Sequence, residues 1–169
     1  RLLELTGDLV WADELELSLF NALPAAMTPD GAWRSYYSPL TGERVASHFQ
    51  YTDIGLSCCV ASGPRAMLLT HRWAVMQDDA GPVVNLYASG TARFSTAKGG
   101  EVEIHQTTEY PKKEKVALAI RCAQPETFNL RLRIPSWSRN TLVSVNGKIS
   151  PVAAGKYHSI ERMWKDGDT

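Results

Sequence analysis

At 169 residues the chain is long enough for one good-sized domain or two small ones. Its 18 basic residues balance 18 acidic ones, and nothing marks a nucleic-acid or acidic-membrane partner, which would call for a basic face. No apolar run approaches the roughly 20 residues that a spanning helix needs, and no targeting segment is visible.

Arg1 to Leu5 reads as the last turns of a helix, with Gly7 as its C-terminal cap. Asp8 then caps a second helix that runs to about Leu23, where Pro24 ends it. Within it Trp11, Leu15, Leu19 and Leu23 recur every four residues and form one apolar stripe. Two helices joined this closely predict consecutive members of a bundle or helical barrel. From Met27 to Ile54 the periodicity fades. Prolines and glycines punctuate a stretch carrying Trp33, Tyr36, Tyr37, His48, Phe49 and Tyr51. Aromatic faces and hydroxyls suit sugar rings, which offer CH patches for stacking and OH groups for hydrogen bonds. The plainer reading is a loop whose aromatics pin it to the domain.

Cys58 and Cys59 are adjacent. Neighbouring Cα atoms lie about 3.8 Å apart, short of the roughly 4.4 Å at which ordinary disulfides begin, so the pair reads as two thiols. Two thiols can converge on one soft metal ion, zinc above all, or can be two small hydrophobes opening a core helix. That helix is expected to reach about Leu69, with Gly63-Pro64 in its first turn or at a kink. Arg65 fits either a structural ion pair or the orientation of a carboxylate or hydroxyl.

Beyond His71 the composition turns to strands: 73–77, 83–87, 91–95, 101–108, 115–122, 127–134, 142–145 and 157–162, separated by turn residues such as Asn146-Gly147. Many short strands at this spacing predict an antiparallel β-sandwich. Glu101, Glu103 and His105 share one face, a solvated polar face in preference to a metal site. Cys122 lies in step with Val116, Leu118 and Ile120, on the apolar face of its strand. Three cysteines, two of them adjacent, make no disulfide framework. The fold class is therefore mixed and mostly β, with terminal helices over 1–72 and a sandwich over 73–169. A start inside a helical pattern and an end just after a turn signal predict a piece of a longer protein whose sandwich lacks its last strand.

Several segments share wording with one enzyme family: Leu-Thr-Gly-Asp, Tyr-Tyr-Ser-Pro-Leu, Ser-Cys-Cys before Ala-Ser-Gly-Pro-Arg, Leu-Arg-Leu-Arg-Ile-Pro-Ser-Trp, Val-Asn-Gly-Lys and Trp-Lys-Asp-Gly-Asp, in that order. The chain resembles the bacterial β-L-arabinofuranosidases of glycoside hydrolase families 127 and 146 over nearly its whole length. The resemblance implies an (α/α)6 barrel followed by β-sandwiches, a retaining mechanism and a carbohydrate substrate. It implies a zinc held by a Glu-x-Cys pair and the Cys-Cys pair, with Cys58 as nucleophile and ligand, Cys59 as ligand, and Tyr36 near the sugar, while His48 is a substrate-binding candidate from its place in the aromatic stretch. No Glu-x-Cys occurs in these 169 residues, and Thr41 stands where family members tend to carry Glu. The remaining ligands and the acid/base Glu are thus expected upstream of Arg1, and these residues alone are expected to hold zinc poorly and to lack activity. Two other readings compete. One is a non-catalytic carbohydrate-binding or scaffolding sandwich with inert thiols. The other is a cysteine hydrolase pairing Cys58 with His48 or His71. Bacterial cytoplasm and periplasm both remain open.

Overall fold

The computed structural model of the protein describes residues 1–35, 41 and 58–169. They divide into two compact units, Arg1–Asp13 with Arg72–Thr169, and Glu14–His71. Helix α1 (Leu2–Thr6) ends as its glycine requires: Gly7 adopts a φ of 68° and donates its N–H to the Leu3 carbonyl. Helix α2 (Leu9–Leu17) continues through a π-helical turn (Ser18–Ala22) into α3 (Leu23–Ala25), so the expected helix forms with one wide turn inside it but is not ended by Pro24, which sits in the first turn of α3 where its missing N–H costs no helical bond. Trp11, Leu15, Leu19 and Leu23 are all half-buried along it, as the four-residue spacing predicts.

Helix α4 (Cys58–Ala74) is longer than expected by about one turn and keeps Pro64 inside it. Thr70 bonds back to the Ala66 carbonyl (3.2 Å), and the indole N–H of Trp73 donates to Glu4 Oε1 (3.0 Å). Trp73 is therefore helical and the first strand, β1 (Val75–Asp78), starts two residues later than predicted. The expected strand over 83–87 is also displaced, to β2 (Gly81–Val84).

The remaining strands are β3 (Gly90–Ser95), β4 (Glu101–Thr108), β5 (Val116–Cys122), β6 (Glu126–Ile134), β7 (Leu142–Val145), β8 (Lys148–Pro151) and β9 (Lys156–Trp164). They form a four-stranded sheet in the order β1-β2-β6-β9, a three-stranded sheet β3-β4-β5 and the hairpin β7-β8. The pairing is antiparallel except for a short parallel contact of β2 with β6, at Val83↔Arg131 and Val84↔Leu132. That contact needs Gly81. Its φ is 138°, and a Cβ there would stand 2.5 Å from the Asn129 carbonyl oxygen. The hairpin β7-β8 turns on Asn146 and Gly147, both at positive φ, as the Asn-Gly pair predicts.

Alternation does the rest. Val102 and Ile104 of β4, Ile120 of β5, Phe128, Leu130, Leu132 and Ile134 of β6, and Trp164 of β9 close one core between the two larger sheets. Phe128 stacks on Trp164 (centroids 5.7 Å apart) and meets Phe94 edge-on (5.2 Å). Each such side chain, fully buried, stabilises the fold by about 1.5–3 kcal/mol before entropy is counted.

Inside this β-rich unit one polar network interrupts the apolar packing. The Arg133 side chain is fully buried, and its Nη1 pairs with the Asp13 carboxylate. Asp13 also accepts from the Ser136 N–H (3.2 Å), and Arg133 Nε donates to the Asn85 carbonyl. Tyr157 donates to Asn85 Oδ1 (2.6 Å), and Asn85 Nδ2 donates to the Trp73 carbonyl (3.1 Å). Replacing Asp13 removes an acceptor for a buried cation, so Asp13→Ala should lower unfolding stability by about 1.5–3 kcal/mol in denaturant titrations. Burial pushes the Tyr157 phenol up to about 12. A raised folded-state value favours the native state below the unfolded value of about 10 and loses that contribution as pH climbs toward 12. Absorbance titration at 295 nm should therefore show one tyrosine ionising last, with stability falling between about pH 10 and 12, and Tyr157→Phe should abolish that late step.

Candidate active site

The two adjacent cysteines open α4. Cys58 is exposed, Cys59 is half-buried, and neither forms a disulfide. Their sulfurs lie 3.9 Å apart. With Zn–S bonds of about 2.3 Å, two ligands on one tetrahedral edge stand about 3.8 Å apart, so the pair already has the spacing of half a zinc site. Among the described residues no group of three or more His, Cys, Asp or Glu is arranged to hold a metal ion. Pro64, six residues on from Cys58, has no N–H to give to the Val60 carbonyl, so this first turn lacks one rung of the helical ladder.

Tyr36 and His48, expected near a sugar, lie outside the described residues, as does most of the aromatic stretch from Met27 to Ile54. Its described start folds back on itself through a bridge between Met27 and Arg34. Arg34 had no signal in the sequence and is nevertheless buried, only 5% exposed. Its Nη1 donates to the Leu23 carbonyl (2.8 Å) and its Nη2 to Met67 Sδ (2.8 Å). The guanidinium arm crosses α4 at Gly63, where a Cβ would come within 1.8 Å of Arg34 Cδ. Gly63 thus leaves room for that arm one turn beyond the cysteines. Arg65, in contrast, is exposed.

The conspicuous Arg-Ile-Pro-Ser-Trp segment has a structural task. Arg133 and the Ser136 N–H both grip Asp13, and the Arg133 carbonyl accepts from the Tyr87 hydroxyl. Sequence reasoning found this motif but not its partners Asp13, Asn85 and Tyr157, which carry no local pattern.

Other candidates separate from the site. His71 sits 13 residues beyond Cys58 on the same helix, about 20 Å along its axis at 1.5 Å per residue, too far for a nucleophile–base pair. Glu103 bonds His105 Nε2 (2.8 Å) and pairs with Arg93, while Thr91 bonds His105 Nδ1 (3.0 Å). The hydrogen bond from Arg93, then that from His105, holds the Glu103 carboxyl below its usual range. This is a cross-strand ladder on the solvated face. Cys122 packs against the core, and burial pushes its thiol up, away from the reactive range.

Residues 1–70 match the family model described as the GH127 β-L-arabinofuranosidase catalytic domain, and residues 82–169 match the GH127 middle domain. The chain is 27% identical over 164 residues to a non-reducing end β-L-arabinofuranosidase of Bifidobacterium longum subsp. longum, covering 88% of this chain and 24% of that protein. Among solved structures, a glycoside hydrolase superposes with a TM-score of 0.81 at 28% identity, over 99% of this chain and 29% of its own. A GH127 β-L-arabinofuranosidase from Geobacillus stearothermophilus T6 gives 0.80 at 27% identity, over 99% and 28%. The chain thus spans about a quarter of the length of these relatives. It is mixed and mostly β, with N-terminal helices leading into the sheets of a middle domain, and it belongs to the GH127 family of β-L-arabinofuranosidases.

Proposed function

We propose that these residues form part of a retaining glycoside hydrolase that releases L-arabinofuranose from β-linked arabinosides of plant glycans or glycoproteins, with Cys58 as nucleophile. The observation that carries this reading is the pair of sulfurs 3.9 Å apart at the start of α4, inside the segment that matches the catalytic-domain model. Cys58 and Cys59 would hold a zinc ion together with ligands from outside these residues. When bound, zinc keeps the coordinating thiols deprotonated, whereas a free thiol near 8.5 is mostly protonated at neutral pH.

Each step then has a defined job for the chain. The exposed Cys58 sulfur attacks C1 of the sugar, and the C1–S bond forms as the bond from C1 to the leaving oxygen breaks. A carboxylic acid gives that oxygen its proton. Water next attacks C1 and passes a proton to the same carboxylate, while the C1–S bond breaks and the electron pair returns to sulfur. Two displacements at C1 leave its configuration unchanged. Cys59, half-buried beside the nucleophile, would supply the second sulfur that holds the ion. Tyr36 and His48 are proposed to line the sugar subsite, and the acid/base Glu and remaining zinc ligands to come from the part of the catalytic domain outside these residues. The helical part over 1–72 would then be the end of the catalytic barrel and 73–169 the supporting sandwich.

In the full-length protein, Cys58→Ala should reduce turnover of an aryl β-L-arabinofuranoside by about 10³-fold or more, while Cys122→Ala should lower Tm and leave kcat nearly unchanged. Chelation should abolish activity, and zinc should restore it and slow thiol labelling of Cys58. Full turnover by the Cys58→Ala protein would overturn the reading. The 169 residues alone should show no hydrolysis of the same substrate.

A further inference from the structure

Two sulfurs are half of what a zinc ion takes and all that some other thiophilic centres take. Cys58 and Cys59 bring two, and among the described residues no further His, Cys, Asp or Glu joins them in a cluster. A trivalent arsenical that already carries one carbon substituent is completed by two thiolates, with no third ligand from the protein.

The spacing of the sulfurs selects the shape of the centre. They stand 3.9 Å apart. On a shared atom with bonds of about 2.3 Å, the length zinc makes to thiolate and close to that of an arsenic–sulfur bond, this separation subtends an angle of about 115°. A linear two-coordinate ion with the same bonds would hold its sulfurs about 4.6 Å apart, so the pair would have to open to accept it. A bent centre takes the sulfurs close to where they already are. The two side chains are separated by a single peptide unit, which leaves little freedom to lose when both are bound.

Exposure sets the order of events. Cys58 is exposed and Cys59 half-buried, so the first bond forms at Cys58. The second then closes within the molecule, at the high effective concentration that adjacency provides. Cys122 offers the contrast. It packs against the core, its sulfur lies 4.0 Å from the Trp164 carbonyl, and burial pushes its thiol up. A single thiol makes one bond to arsenic, which other thiols in solution displace.

We propose that Cys58 and Cys59 form a chelating site for trivalent organoarsenicals, complete without ligands from outside these residues. With an arsenoxide, R–As=O, two As–S bonds form, the two thiol protons and the oxygen leave as one water, and arsenic stays trivalent. The site rests on the dithiol geometry alone. On the reading of Cys58 proposed above, its occupation would also close the nucleophile to the sugar and make such compounds inhibitors.

The test adds one equivalent of phenylarsine oxide to the metal-free full-length protein in excess glutathione, then reads intact mass and maleimide labelling by peptide mapping. One phenylarsenic unit should be retained, with labelling of Cys58 and Cys59 both slowed by tenfold or more and that of Cys122 unchanged. Cys58→Ser and Cys59→Ser should each lose the retained unit, Cys122→Ser should keep it, and 2,3-dimercaptopropanol should strip it from the unaltered protein. Retention in both single variants would overturn the proposal. So would protection of Cys58 with Cys59 labelled at its original rate, which places arsenic on a different second sulfur and can be read in the unaltered protein even if a variant fails to fold. No uptake alongside an inactive Cys58→Ala protein would overturn this site and leave the nucleophile standing, whereas uptake alongside an active one would do the reverse.

Discussion

A guanidinium with no access to solvent must find its charge and its hydrogen bonds inside the protein, and Arg133 sets that condition for the β-rich unit. The solution draws on three separated stretches: Asp13 from α2, Asn85 and Tyr87 from the segment after β2, and Tyr157 of β9, which braces Asn85. A buried ion pair is a weak source of net stability, because desolvation offsets most of the attraction. Its value here is registry. An aliphatic side chain at position 133 could tolerate several placements of Asp13, whereas a planar fork with fixed donors accepts one. The first thirteen residues thereby belong physically with the sheets that begin about sixty residues later.

The cysteine helix obeys a different logic. Its first turn presents two sulfurs at metal-ligand spacing, and one turn later Gly63 lets the buried Arg34 arm pass over the backbone. Gly63 has no side chain where the arm crosses, and one turn on Met67 offers its sulfur to the guanidinium. The buried cation ties the segment of the Met27–Arg34 bridge to Leu23 and to Met67 of the helix.

Patterns of short period were legible. Alternation gave β4 and β7 at their observed bounds, Asn-Gly gave the hairpin turn, Gly7 gave the left-handed cap, and the adjacent cysteines marked the turn where the sulfurs stand together. Contacts across long separations were not. The helical state of Trp73 depends on Glu4, the parallel pairing of β2 depends on β6, and the partners of Arg133 lie up to 120 residues away. β8 escaped notice because all four of its residues are exposed, leaving no apolar alternation to read. Arg34 looked like any surface cation, since burial of a charge leaves no trace in composition. The resemblance carried by the Arg-Ile-Pro-Ser-Trp segment pointed to the right family through a motif whose work is structural.

The missing rung at Pro64 has a mechanical consequence for the dithiol. A helix interior resists small displacements because each residue is held from both sides by its ladder. The turn bearing Cys58 and Cys59 is tied less tightly to the turns beyond it. By helical spacing the Cys58 and Cys59 carbonyls face the N–H groups of Ser62 and Gly63, so the gap falls at Val60, on the seam between the sulfur-bearing turn and the rest of α4.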